Sequence, residues 1–365
     1  MRPSGETSKN GFRHRRVHEE SCMADEVREA FRQGDIRAEP GTMVRGMLGG
    51  ANMPTGERVE IPCIVAHGAH AGPTLVVTAV THGNEIVGAG AAIQFSRDLD
   101  PRALHGTVVI VPIANPPAAA AGAYVSPFDG INMSGPIYWD APHGASLSHQ
   151  LGAVIGQVLE RADYYVDLHG NFQPCVPMTM MFLESSRDEA TRAATIAMGE
   201  AVGVTPVDMS APPAHPAWLG PMDSFPTPTA LSRGIPALMV ELHGAPTLMD
   251  ADRGSRCLFN ILRSLGMLND GEAIRPDATR LPGRYGYYGA LETKAAGLMW
   301  IRHPVGEPFE AGALLLEITD PFGEVLEEIR APVAGFCWAY FGSHHGSSHI
   351  VFSGGTVALM AQRLD

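Results

Sequence analysis

The sequence predicts an α/β fold in two parts: a mostly parallel sheet with helices on both faces, followed by a small all-β, barrel-like domain. Three observations predict it. Short apolar runs rich in β-branched residues alternate with longer amphipathic stretches over about residues 41–275, the pattern of repeated strand–helix–strand units. Beyond about residue 276, Gly, Pro and aromatic residues mark short strands with no long helix. A chain of 365 residues with 45% hydrophobic content supports one large α/β unit plus an appendage.

Taken in order, residues 1–40 are polar and charged and read as a loose arm, with a short helix at 24–33. Thr74–Val80 is a buried strand, 86–98 a helix, and Thr107–Ile113 a second strand. Residues 147–161 have helical apolar spacing and lead into the strand Tyr164–Leu168. Pro177–Leu183 is a strand, 187–202 a helix, and Pro236–Val240 a strand that delivers Glu241. Gly88-Ala89-Gly90 falls inside the helix at 86–98. It lacks the third glycine of a dinucleotide fingerprint and reads as close helix packing.

Composition excludes several classes. A net charge of −13 makes nucleic acid and anionic membrane surfaces poor partners. The five cysteines (Cys22, Cys63, Cys175, Cys257, Cys337) are scattered and odd in number, which fits free thiols in a reducing compartment. No apolar run reaches 18 residues. Arg13, Arg15 and Arg16 have no apolar stretch behind them, so the start does not read as a signal peptide. A cytoplasmic location is the expectation, with a small-molecule substrate and room for a homo-oligomer. There is no Gly-x-Ser-x-Gly nucleophile elbow and no phosphate-binding Gly-x-x-x-x-Gly-Lys loop.

The chemistry gathers at strand ends. Thr81-His82-Gly83-Asn84-Glu85 follows one strand and His169-Gly170 follows another. In open α/β sheets ligands bind outside the carboxyl ends of strands. Two His and one Glu there match a catalytic zinc site with an open position. With 15 His in the chain, about one His-x-x-Glu pair is expected by chance, so a surface turn is the alternative for the pair alone. Asp167 stands where it can hold the His169 tautomer or cap a turn. Glu241, at the end of a further strand, is placed as the general base such a hydrolase needs; a strand-end ion pair is the alternative.

Thr81–Glu85, Asn115-Pro116, Ser126-Pro127-x-Asp129-Gly130, Asp167-Leu168-His169 and Ile235–Leu242 fall in order. Together they resemble the succinylglutamate desuccinylase/aspartoacylase family, relatives of the zinc carboxypeptidases, over roughly residues 40–365. The resemblance implies a zinc-carboxypeptidase-like sheet and one zinc ion held by His82, Glu85 and His169. It implies Glu241 as catalytic base and acid, and hydrolysis of the amide C–N bond of small N-acylated amino acids. Asn115, Tyr124, Asn132 and His243 are candidate substrate contacts. Residues 311–318 and 331–335 resemble the halves of a lipoyl or biotinyl carrier barrel. Asp320-Pro321-Phe322-Gly323 stands at the hairpin tip without the attachment lysine, so a covalent cofactor is not expected.

Two departures from the family pattern lie close together. Gly135 stands where the family arginine that holds a substrate carboxylate is usual, and Tyr124 where an oxyanion-stabilising arginine is usual. The main reading is a zinc-dependent deacylase acting on a substrate without that carboxylate, with Tyr124 donating to the oxyanion. The alternatives are a catalytically impaired zinc-site binding protein and a carboxypeptidase-like peptidase. Tyr138, Trp139 and Phe172 could line an aromatic pocket, though core packing is the simpler role for each. Arg233, His143 and His149 are weaker pocket candidates. His344, His345 and His349 read as an exposed loop rather than a second metal site.

Overall fold

In the computed structural model of the chain, the described residues are 28–134, 138–139, 146–171, 174–210, 225–342 and 349–365. The centre of the fold is four parallel strands in the order β6 (His105–Val111), β5 (His70–Ala79), β7 (Tyr164–Asn171) and β10 (Ala237–His243). These strands are buried on both sides, which is why they read as continuous apolar runs rather than alternating ones. On one side the sheet continues antiparallel through β4 (Arg58–His67) and β3 (Thr42–Asn52). On the other, β8 (Met178–Met181) runs antiparallel to β10, and β9 (Thr205–Asp208) then runs parallel to β8.

Alternate residues of the central strands feed two cores. Val77, Val166, Leu168, Val240 and Leu242 face α1 (Val87–Asp98), α4 (Glu189–Val202) and α6 (Ala251–Ser264). Val76, Tyr165, Ala237 and Met239 face α3 (Leu147–Leu159) and α5 (Pro226–Ser232). Helices therefore cover both faces. The glycine pair inside α1 does pack closely: a Cβ on Gly88 would lie 3.0 Å from the Leu168 carbonyl oxygen, and one on Gly90 would lie 2.9 Å from Leu248. The short α2 (Pro116–Ala121) follows β6.

Three further strands, β11 (Tyr285–Glu292), β15 (Gly335–Tyr340) and β17 (Thr356–Arg363), extend the large sheet, because β11 pairs in parallel with β9. The division expected near residue 275 thus falls between α6 and β11, with the sheet continuous across it. The strands β12 (Gly297–Ile301), β13 (Leu314–Thr319), β14 (Val325–Arg330) and β16 (Ile350–Val351) form a separate antiparallel sheet. Its Met299, Leu316 and Ile318 pack with Leu291, Tyr340 and Met360 of the large sheet to make a third core. Asp320–Gly323 forms the β13–β14 turn, with Phe322 fully out in solvent.

The helix expected at 24–33 is not formed over its described part. Phe31–Gln33 is a strand, β1, paired antiparallel with β2 (Ile36–Ala38). Gly34 takes φ +55° in the turn, a left-handed conformation that stops a helix and suits a two-residue hairpin. Phe31, Ile36 and Ala38 are buried in the main core, and the Arg28 guanidinium donates to the Gly68 and His70 carbonyls. Residues 28–40 therefore pack on the large domain; 24–27 and the rest of the arm lie outside the described residues. Among the described residues no helix is long and apolar enough to cross a membrane.

Candidate active site

The turn after β5 is held under strain. Val80 has φ +56° and is the one non-glycine residue with positive φ among the described residues. A β-branched side chain in that region costs about 1–3 kcal/mol. Surrounding bonds fix it: Asn115 N–H donates to the Val80 carbonyl at 3.1 Å and the Asn115 amide to the Thr81 carbonyl at 3.1 Å. Gly83 makes the close approach to α2, since a Cβ there would lie 2.0 Å from the Ala118 carbonyl carbon. His82 and Glu85 are thereby turned inward and buried.

The third residue comes from β7, which runs to Asn171, so His169 lies within the strand rather than beyond it. In parallel register His169 stands beside Glu241 of β10, and two residues back Asp167 stands on the same face. One ligand atom from each of His82, Glu85 and His169 can be chosen so that all lie within 4.8 Å of one another.

The hydrogen bonds define which ring atoms face this point. Asn132 Oδ1 accepts from Ser134 N–H at 2.8 Å, so it is an acceptor toward His82 Nε2 at 3.0 Å. Asp167 Oδ2 accepts from His169 Nε2 at 3.0 Å, and its Oδ1 accepts from Thr78 Oγ1 at 2.6 Å. Both imidazoles carry a proton on Nε2, and in their neutral forms both Nδ1 atoms present lone pairs. Those lone pairs point at Glu85, with His82 Nδ1 2.8 Å from Oε1 and His169 Nδ1 3.0 Å from Oε2. Four acceptor positions converging on one buried point require a cation or a proton between them. This donor set fits Zn²⁺, which takes imidazole nitrogen and carboxylate oxygen at about 2.0–2.2 Å.

The titration behaviour agrees. Burial opposes the Glu85 charge, yet the two imidazoles hold its carboxyl down at about 2. Burial would lower the His169 pKa, but Asp167 and Glu85 raise it well above the ordinary value. In the metal-free chain a proton takes the cation's place. Glu241 is the opposite case: burial, reinforced by Glu85 and Asp167 against the opposing pull of His169, lifts it to about 8. Asn171 Nδ2 donates to Glu241 Oε2 at 3.0 Å and fixes its direction.

These residues open onto a cavity of about 230 Å³. Tyr124 lines it, stacked on the His82 ring at 3.7 Å between centroids and hydrogen-bonded to the Asn132 side chain. Burial beside Glu85 and Glu241 raises its phenol pKa, so Tyr124 stays protonated. Asn132 also lines the cavity.

Two candidate substrate contacts take other places. Asn115 is fully buried and caps α2 by accepting from Ala118 N–H. His243 is not among the cavity-lining residues; its backbone N–H donates to Asp250. Tyr138 is buried in the core, 3.4 Å from Thr81 Oγ1, and Trp139 packs beneath the exposed Arg233. His149 pairs with Ser146, and His349 is exposed just before β16. Gly135, His143, Phe172, His344 and His345 lie outside the described residues, as does Cys22. The other four cysteines are free and buried. Sequence reasoning did not single out Thr78, Ser134 or Asn171. Nor did it find the cavity residues Met180, Phe182, Phe225, Met239 and Phe341, which come from separate elements with no shared local pattern.

A family model described as the succinylglutamate desuccinylase/aspartoacylase catalytic domain matches residues 71–265, just over half of the chain. The chain belongs to this family. Desuccinylase/aspartoacylase structures extend the likeness to the C-terminal part. A succinylglutamate desuccinylase/aspartoacylase from Rhodobacter sphaeroides is 24% identical with TM-score 0.72, covering 94% of this chain and 99% of that one. A product-bound ectoine utilization protein from Ruegeria pomeroyi is 22% identical with TM-score 0.71, covering 92% and 96%. At these identities the likeness shows the shared fold. In sequence, the N-alpha-acetyl-L-2,4-diaminobutyric acid deacetylase of Halomonas elongata is 32% identical over 125 residues. That stretch is 33% of this chain and 36% of the relative, so the match spans about a third of that protein.

Proposed function

We propose that the chain is a zinc-dependent hydrolase that cleaves the amide C–N bond of a small N-acylated compound. The observation that carries this is the convergence of His82 Nδ1, His169 Nδ1 and the Glu85 carboxylate, with Glu241 beside them on the next strand. The family and the diaminobutyrate deacetylase relative support the same reaction class.

His82, Glu85 and His169 would hold the metal. When bound, zinc supplies Lewis acidity toward the scissile carbonyl and makes water acidic enough to attack near neutral pH. Glu241 is a buried carboxylate whose raised pKa suits it to take a proton from the attacking water and return it to the leaving nitrogen. Asn171 keeps that carboxylate aimed into the cavity. Tyr124, held protonated and stacked on His82, is placed to donate to the oxygen that gains charge at the carbonyl. Asp167 and Asn132 fix the two imidazole tautomers so that Nδ1 faces the metal position.

The test is amine release from a panel of N-acyl amino acids and neutral amides, with zinc content measured alongside. Release that is lost on chelation and restored by zinc supports the hydrolase. Full zinc occupancy without release from any compound would favour a binding protein.

A further inference from the structure

We propose that the cavity selects an uncharged, apolar group flanking the scissile amide and rejects a carboxylate in that position; this rests on the hydrolase reading above and names its substrate class. The first observation is that, among the described residues, no Arg or Lys lines the cavity. The internal segments 135–137, 140–145, 172–173, 211–224 and 343–348, outside the described residues, contain neither residue type; Arg2, Lys9, Arg13, Arg15 and Arg16 belong to residues 1–27, also outside the described residues. Arg233, the nearest sequence candidate for a replacement cation, is exposed and spread over the Trp139 ring.

The second observation is the charge already present. Glu85, Glu241 and, behind them, Asp167 are buried at the site. Glu85 and Asp167 already balance the +2 of one zinc ion, with Glu241 neutral or replaced by Gln, so a further anion finds no compensating partner. Burying an unpaired carboxylate is costly.

The third observation is the apolar wall of the cavity. Met180 and Met239 form a cross-strand pair between β8 and β10, both nearly fully buried. Phe182 stacks on Phe225 at 6.0 Å between centroids, and Phe341, after β15, also lines the cavity. Thioether and aromatic side chains make an adaptable surface for aliphatic groups. At about 30 Å³ per water-sized group, a cavity of about 230 Å³ holds the amide and a few carbons beside it.

The experiment is calorimetric binding of matched compounds to zinc-loaded Glu241→Gln, with wild-type turnover read in parallel. On the acyl side the pair is N-butyryl against N-succinyl methylamine; on the amine side it is N-propylacetamide against N-acetyl-β-alanine. Whichever side faces the wall, the apolar member should bind at least tenfold tighter than its carboxylate partner. Each methylene added until the wall is filled should tighten binding about fourfold. Introducing a cation by Phe225→Arg, at a half-buried helix start, should narrow or reverse that preference. Met180→Lys serves as the second variant if the first does not fold. Equal or tighter binding of the carboxylate member on both sides overturns the proposal. If the binding order holds but no compound is turned over, the hydrolase reading fails while the selectivity of the cavity stands.

Discussion

Replacing Asp167 should weaken zinc binding without unmaking the sheet. Asp167 is fully buried and accepts from His169 Nε2 at 3.0 Å and from Thr78 Oγ1 at 2.6 Å. In Asp167→Asn the amide oxygen can still accept from His169 while the amide nitrogen donates to Thr78 Oγ1. Geometry and tautomer are kept and the negative charge is lost. In Asp167→Ala nothing orients the ring. Partners of this kind contribute about 10–100-fold to metal affinity, equivalent to about 1.4–2.8 kcal/mol. The Asn variant should fall near the tenfold end and the Ala variant near the hundredfold end. Zinc affinity is measured by competition with a chelator of known strength, and thermal unfolding of the metal-free proteins separates loss of fold from loss of metal. Unchanged zinc affinity in both variants, with folding intact, would refute the argument that Asp167 sets the His169 tautomer.

Further outcomes are expected. His169→Ala should lose zinc, read by metal analysis after dialysis; full occupancy would remove His169 from the ligand set. Chelation should lower the unfolding temperature of wild type, and zinc should restore it, because a ligand that binds only the folded state stabilises it. Gly83→Ala should cost about 1–3 kcal/mol, since its Cβ would lie 2.0 Å from the Ala118 carbonyl carbon; urea unfolding reads this directly. In the metal-free protein, the Glu241 pKa is raised by burial from 4.5 to about 8. The folded state then binds the extra proton, so this group's contribution to stability falls as pH rises from about 4.5 to 8. Metal-free Glu241→Gln should therefore match wild type near pH 4.5 and exceed it above pH 8 in unfolding temperature. A constant difference across that range would contradict the shift.

Much of this arrangement was legible from short stretches of chain. The runs at 74–80, 164–168 and 236–240 are apolar because their strands are covered on both faces, and each delivers its polar residue at the carboxyl end. That makes His82, His169 and Glu241 stand out. The parallel register that sets Glu241 beside His169 depends on tertiary pairing and could only be assumed. The helix expected at 24–33 failed because Gln33-Gly34-Asp35-Ile36 is a hairpin turn whose signal is the Gly34 conformation rather than periodicity. Asn115, in a family motif, proved to be a cap and a turn clamp, a role that needs the fold to be seen. The apolar wall was invisible for a different reason. Met180, Phe182, Phe225 and Phe341 look like ordinary core residues until β8, α5 and β15 bring them to one cavity.

The central claim is that a metal held by His82, Glu85 and His169 acts with Glu241 to hydrolyse an amide. The most direct measurement is kcat/KM for the best amide substrate in zinc-loaded wild type, chelated wild type and zinc-loaded Glu241→Gln. The account predicts measurable turnover in the first, loss on chelation that zinc reverses, and at least a hundredfold loss in Glu241→Gln at full zinc occupancy. Turnover in Glu241→Gln equal to wild type, or turnover that survives complete removal of metal, would contradict it.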